Sequence, residues 1–386
     1  MEQLKAISSL RQWWDNNSFP VYIFFVTWIW LNIISYATLY YFPARSVSAN
    51  WCIFPRNLFI EGWARWDSGW YLGIINDGYT NIANSEGQRD TVFFPLYPAV
   101  VRLLKLIIPN DVICGLIVSN VAFLAALIIL YRLVISRLGI DIAKRCIILI
   151  SVYPFSFFFR AMYTESIFLL LVLTAFYFGE KQKWLIASLF SAASGASRIT
   201  GFLTIAGLIM LYIEKQGFDW RKVKHEIHWI IVGAAGPVSF MAFLAIKFGE
   251  PFAFAKNHLV PGRITESILE GSVSNFDAFL SATTLTTKFY PLLNLFYICL
   301  VPCTIVLLLF TYTKIGVAYS VWGFLSVIVS SFGWRSMGRY AVVIFPLFIS
   351  AAIVLKKEIW FKTAVYLSIV LLTFFTLLFT HAYWVA

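Results

Sequence analysis

Residues 64–79 read ARWDSGWYLGIINDGY and stand between two apolar runs, residues 20–42 and 112–136. One carboxylate in this stretch, Asp67, is set among Trp63, Trp66, Trp70, Tyr71 and Tyr79. Rings of Trp and Tyr collect where a membrane meets water, so a boundary belt accounts for the aromatics. It does not account for the acid. A carboxylate packed among rings near a membrane surface suits a reaction on a lipid-bound substrate. Local composition leaves both readings open, and the rest of the chain decides between them.

The chain is 60% hydrophobic and only 13% charged, with a mean hydropathy of +0.78. So few charges cannot coat a soluble surface. Apolar runs of about 20 residues recur, each long enough to cross a hydrocarbon core of about 30 Å. The expected fold class is an all-α polytopic membrane protein, with residues 1–386 forming one integral-membrane domain. A formal net charge of +11 would point to nucleic acid in a soluble protein. Here the basic residues sit largely at helix ends, where headgroups and topology explain them, so no nucleic-acid partner is expected. Cys52, Cys114, Cys146, Cys299 and Cys303 are scattered and read as apolar fillers rather than ligands.

Taken in order, residues 1–19 read as a short amphipathic cytoplasmic helix, and Pro20 opens an uncleaved first span to residue 42. A first outer loop, 43–111, carries the opening motif. It ends in TVFFPLYPAVVRLLKLII (residues 91–108), where Pro95 and Pro98 break the segment and Arg102 and Lys105 stripe one face. That pattern predicts a helix lying on the membrane, with a crossing as the alternative. Further spans are expected near 112–136, 145–159, 165–179, 184–197, 199–213, 229–247, 289–313, 316–332, 340–355 and 361–381. With the first, that makes about eleven. The pair 184–197 and 199–213 is short, which places Arg198 at a junction near the surface. A second outer loop covers 248–288.

Placing the N-terminus in the cytoplasm gathers Arg132, Arg137, Lys181, Lys215, Lys314 and most other lysines at inside ends. Asp67, Arg160, Glu165, Arg198, Lys256, Arg263, Arg335 and Arg339 then fall on the outer side. Ionised groups in or beside apolar segments usually face a cavity or a partner. Several cations around one acid suit an anionic lipid headgroup, since Arg meets phosphate with a planar fork of donors.

With those residues in view, the chain resembles a family. Arg65-Trp66-Asp67-Ser68, Gly78-Tyr79, Phe93-Phe94-Pro95-Leu96-Tyr97-Pro98, Tyr153-Pro154, Tyr163-Thr164-Glu165-Ser166, Arg198 before Gly201, Gly338-Arg339-Tyr340 and Phe345-Pro346-Leu347-Phe348 occur in one order. They resemble the second mannosyltransferase of GPI-anchor synthesis and its prokaryotic relatives, over most of residues 64–350. The resemblance implies a GT-C glycosyltransferase bundle, with its catalytic acid in the first outer loop and a polyprenyl- or dolichyl-phosphate-linked mannose as donor. It implies inversion at the sugar carbon, with Asp67 as base. Arg198, Arg335, Arg339 and Lys256 are candidates for the phosphate, and Arg65, Trp66, Glu165 and Tyr340 are further substrate-site candidates. Membrane lipids are the expected surroundings; the acceptor stays open among glycolipid, glycan and protein. The membrane would be the plasma membrane in a prokaryote and the endoplasmic reticulum in a eukaryote.

Each candidate also has a plainer role. Arg65 can anchor its loop on a neighbouring carboxylate. Asp77, before Gly78, suits a turn. Glu165 can favour the start of its helix, with Thr164 as cap. Arg160 can pair with Glu165. Lys256 and His258 suit a solvated loop, and His225 and His228 a solvated basic face. No DxD-type acidic pair and no glycine-rich phosphate loop is present, so a lipid-phosphate donor and metal independence are expected, with no cofactor. Two rivals remain: a flippase for a lipid-linked sugar, which predicts inverted repeats, and a GT-C transferase for another sugar.

Overall fold

The computed structural model describes residues 2–42, 44–45, 57–85, 87–223, 225–257 and 267–385. Among these, every regular element is helical. Cys52, His258 and Arg263 lie outside the described residues.

Helix α1 (Glu2–Tyr41) is one continuous rod. The break expected at Pro20 does not occur, and the amphipathic start and the first span are a single element. Proline costs the helix one backbone donor there, but Arg132 Nε donates to Asn17 Oδ1 at 2.8 Å and holds this turn from the side. Short α2 (Leu58–Glu61) leads into the aromatic motif, and α3 (Ser68–Asp77) leaves it. Helix α4 (Leu96–Lys105) spans roughly 15 Å at 1.5 Å per residue, about half a hydrocarbon core, which fits a surface helix better than a crossing. Its basic stripe points to protein as well as solvent. Arg102 Nε donates to the Ile75 carbonyl at 2.9 Å, and Lys105 Nζ donates to Asn76 Oδ1 at 2.7 Å, so both tie down the end of α3.

The central bundle follows. It comprises α5 (Asp111–Leu138), α6 (Ile140–Val152), α7 (Glu165–Glu180), α8 (Trp184–Gly195) and α9 (Leu203–Lys215). Asn110 caps α5 by accepting from the Ile113 N–H, and Gly139 ends it at a φ of +86°. Helices α5, α7 and α8 pack in sequence. Their core is aromatic: Phe123 stacks on Phe159, centroids 4.3 Å apart, and Phe155, Phe157 and Phe158 are buried beside them.

Beyond lie α10 (His228–Ile231), α11 (Ala235–Phe248), α12 (Ala253–Lys256) and α13 (Ile268–Ser281), the last opened by a Ser267–Glu270 capping box. The chain closes with α14 (Leu285–Ile315), α15 (Val317–Ser331), α16 (Met337–Ala341), α17 (Phe345–Val354) and α18 (Glu358–Thr380).

By length and composition, five helical stretches among the described residues can each cross a membrane. They lie in α1, α5, residues 225–248, α14 and α18; α15 with residues 334–341, bent by 115°, makes a sixth. The expected total of about eleven full spans is not confirmed. Helices α6, α7, α8, α9 and α17 have 10–16 residues and run out before a 30 Å core would.

Candidate active site

Asp67, Glu165, Arg198 and Arg339, far apart in sequence, meet at the N-terminal end of α7. Asp67 is the residue before α3, yet its carboxylate makes no cap bond to that helix. Instead Arg339, on α16, donates Nη1 to Asp67 Oδ2 at 2.5 Å. The same guanidinium gives Nε to Glu165 Oε1, in the first turn of α7. Arg198 gives Nη1 to that same oxygen at 2.6 Å. Two carboxylates and two arginines thus form one chain: Asp67, Arg339, Glu165, Arg198. Their formal charges cancel, which is how ionised groups persist in an apolar bundle.

Burial separates the two acids. Glu165 has no exposed side-chain surface, whereas Asp67 keeps 16%. Among the described residues, Glu165 Oε2 is buried without a hydrogen-bond partner. Glu165 is the hub that fixes the arginines. Asp67 is the more exposed of the two. Asp77 ends α3, roughly 15 Å further along that helix, and plays no part in the cluster.

Hydrogen bonds sew the loop of Asp67 to the turn before α7. Met162 N–H donates to the Trp63 carbonyl at 3.0 Å, and Ser68 Oγ to the Met162 carbonyl at 3.2 Å. The Tyr163 hydroxyl donates to the Arg65 carbonyl at 3.1 Å and accepts from the Asp67 N–H at 3.2 Å. Arg339 also lies over the Tyr163 ring, 4.5 Å from its centroid. Burial pushes the Tyr163 hydroxyl well above its ordinary range, with Asp67 adding to the shift. Burial, then Glu165, does the same to Tyr71. Both phenols stay protonated near neutrality and do not compete as bases. Tyr163 stood in a quoted motif without a role; only the fold reveals it as the clasp.

The remaining candidates divide. Arg65 is fully buried, and its Nε and Nη2 donate to the Thr380 carbonyl at 3.2 and 3.1 Å. These two bonds go to a backbone carbonyl at the far end of the chain rather than to the neighbouring carboxylate expected for an anchor. Trp66 takes a left-handed backbone, φ +53°, and sets its ring edge-on to Trp384 at 5.2 Å. A bulky residue held there is strained, and strain of this kind gathers at functional sites. Tyr340 supports Arg198, whose guanidinium lies 5.7 Å from its ring centre. Arg335 is exposed and lies over Trp334 at 5.2 Å. Lys256 is 71% exposed and pairs with Glu250 at 2.9 Å, the solvated outcome. Neither joins the cluster.

The expected pair of Arg160 and Glu165 does not form. Glu165 Oε1 is taken by Arg198 and Arg339, and a 3-10 turn at Ser156–Phe159 carries Arg160 toward α1. There Arg160 Nη2 donates to Thr27 Oγ1 at 2.6 Å and to the Phe24 carbonyl at 3.2 Å.

A residue missed in the sequence, Asp90, shapes the rest of the loop. Its carboxylate accepts from the Thr80 N–H and hydroxyl and from the Asn81 N–H, at 2.6 to 3.0 Å. No spacing pattern marks such a staple. The Phe93–Pro98 segment then packs inward. Phe93 stacks on Trp70 at 5.7 Å, and Leu96 N–H donates to the Ala196 carbonyl at 3.0 Å, two residues before Arg198.

Comparison with known proteins agrees with this geometry. A family model described as mannosyltransferase (PIG-V) matches residues 19–223, more than half of the chain, including Arg65, Asp67, Glu165 and Arg198. Arg339 lies beyond the matched part. The fold is similar to the crystal structure of ArnT from Cupriavidus metallidurans bound to undecaprenyl phosphate, with a TM-score of 0.53 and 9% identity over 86% of this chain and 60% of that one. The chain therefore spans about three-fifths of the length of ArnT. A lesser likeness exists to the Archaeoglobus fulgidus oligosaccharyltransferase complex with Zn and sulfate, with a TM-score of 0.47 and 11% identity over 80% of this chain and 48% of that one. At such identities the likeness concerns the fold alone. No curated protein sequence matches the chain.

Proposed function

The chain belongs to the mannosyltransferase (PIG-V) family, and from that premise we propose that it transfers mannose from a polyprenyl-phosphate carrier to an acceptor hydroxyl, with inversion. The observation that carries the assignment of roles is the contrast between Asp67, partly exposed and held by Arg339, and Glu165, wholly buried beneath two arginines.

The acceptor oxygen attacks the sugar carbon from the face opposite the phosphate. The carbon–phosphate oxygen bond breaks, and its electron pair leaves with the carrier phosphate. The acceptor proton passes to Asp67. Arg339 orients the carboxylate toward the acceptor hydroxyl. Negative charge grows on the departing phosphate, where Arg198 and Arg339 stabilise it in a site with little water. That ArnT was crystallised with undecaprenyl phosphate supports a long polyprenyl phosphate as the carrier class. On this reading the reaction needs no metal, and turnover survives a chelator.

The test is transfer from polyprenyl-phosphate-mannose to a panel of glycan, glycolipid and peptide acceptors. Asp67→Asn keeps shape and removes basicity, so turnover falls by roughly 10²–10⁴-fold, the usual worth of a positioned proton acceptor. Donor binding survives, because Asn removes no phosphate contact. Asp67→Glu moves the carboxylate by about an ångström and loses on the order of 10²-fold. Near-wild-type transfer by Asp67→Asn would remove Asp67 from the chemistry.

A further inference from the structure

At the opposite end of α7 from Glu165, roughly 22 Å away along the helix, a second set of charges surrounds a cavity of about 850 Å³. Five cations line it: Arg132, Arg137, Lys181, Lys215 and Lys314. Two of them are neutralised. Glu180 takes Arg137 Nη1 at 3.2 Å and Lys215 Nζ at 2.6 Å, and Glu214 takes Arg137 Nη2 at 2.9 Å. The other three, Arg132, Lys181 and Lys314, have no carboxylate partner among the described residues.

These three come from different elements: Arg132 from α5, Lys181 from the turn after α7, and Lys314 from the last turn of α14. A preference for basic helix ends explains their presence on one side of a bundle. It does not explain why three unmatched cations converge on one concavity, where each raises the cost of the others. Two of the three, Arg132 and Lys181, are also positioned. Arg132 is pinned through Nε to Asn17 Oδ1 at 2.8 Å and also bonds to the Tyr177 hydroxyl. Lys181 is held by the Tyr177 hydroxyl at 2.7 Å and lies 4.1 Å from that ring's centre. Leu133 and Ile135 add an apolar wall.

We propose that this cavity binds a phosphate-bearing anion, held by Arg132, Lys181 and Lys314 and distinct from the carrier phosphate at Asp67. The ligand chemistry is a phosphomonoester or phosphodiester with an apolar or glycerol portion. An anionic phospholipid headgroup and a soluble phosphate ester both supply it. The inference is independent of the transfer reaction, since it concerns the other end of the helix.

The purified full chain in neutral detergent is titrated in two arms. Short-chain phosphatidylglycerol is compared with short-chain phosphatidylcholine by native mass spectrometry, and sn-glycerol 3-phosphate is followed by equilibrium dialysis. At least one phosphate compound binds more tightly than phosphatidylcholine, and the binding weakens with salt. Binding in the first arm alone identifies a lipid, and in the second a soluble ester. Lys181→Gln with Lys314→Gln weakens binding roughly tenfold, about what two charge-assisted contacts at a half-open site supply. Neither lysine holds a carboxylate, so the double variant keeps the ion pairs of Glu180. Arg132→Lys, which keeps the charge, retains most of the binding. Lys356→Gln with Lys357→Gln, between α17 and α18 and outside the cavity lining, leaves it unchanged. The proposal is overturned if neither phosphate compound outbinds phosphatidylcholine, or if the Lys356 and Lys357 control weakens binding as much as the cavity variant.

Discussion

Glu165 and Arg339 decide what the single residues of the site can do. Arg339 bridges the two acids, and its side chain is only 9% exposed. Removing one partner of a buried pair strands the other's charge and costs about 3–5 kcal/mol. Glu165→Gln, which leaves Asp67 as the single carboxylate of the cluster against Arg198 and Arg339, lowers the unfolding midpoint in detergent. Its effect on donor binding is expected to be small, because both arginines remain to meet a phosphate. Arg198→Leu and Arg339→Leu also break buried pairs, and in addition weaken donor binding. Lys at either position rescues in part, since an ammonium lacks the planar fork. Isothermal titration with polyprenyl phosphate separates these outcomes: loss of donor affinity in Glu165→Gln, without loss in either arginine variant, would reverse the roles. Both cations were legible from the sequence as outer-side arginines next to apolar segments. Their sharing of one carboxylate oxygen was not, because contacts 33 and 174 residues apart leave no local pattern.

Among elements, the junction that presents Arg198 is the most constrained. Arg198 is extended, φ −155° and ψ 153°, between α8 and a 3-10 turn at Ile199–Phe202. The chain doubles back so closely that a Cβ on Gly201 would lie 2.0 Å from the Ser194 carbonyl oxygen. Gly201→Ala therefore forces the turn off α8 and displaces Arg198. Donor affinity falls by about tenfold or more, on the scale that a misplacement of an ångström costs, and the measurement is the same titration. Gly201→Ala with wild-type affinity would show that the junction yields without moving the arginine. This junction was readable beforehand, because two runs too short to cross a membrane must meet inside or at its edge. Other boundaries were not. The run at 340–355 is split between α16 and α17, with Pro346 at the start of α17. A proline there restricts the residue before it, so the break has a local cause that continuous hydropathy hides. At Pro20 the opposite happened: a strong local breaker was overruled by packing against α5. Hydropathy reports apolar length. It does not report which of those lengths face lipid and which face other helices.

At the scale of the whole molecule, α7 separates two charged ends. Glu165 opens it among Asp67, Arg198 and Arg339, and Glu180 closes it among Arg137 and Lys215. The asymmetry of lysines and arginines predicts that the first end lies outside the cell membrane and the second in the cytoplasm. Geometry alone fixes only that the two are opposite. Two single cysteines, in a background with the native cysteines replaced by Ala or Ser, test both statements at once. Ala83 is exposed in the loop stapled by Asp90, and Lys183 is exposed in the turn between α7 and α8. A membrane-impermeant maleimide should label Ala83→Cys in intact cells and Lys183→Cys only after permeabilisation. The reverse pattern would invert the protein and place Asp67 in the cytoplasm, where a nucleotide-linked donor becomes the better chemistry. Labelling of both in intact cells would mean that the chain from α4 to α7 makes no net crossing. The expected pattern requires α7, only 16 residues long, to sit where neighbours shield its ends, consistent with its nearly complete burial along the chain from Glu165 to Phe176.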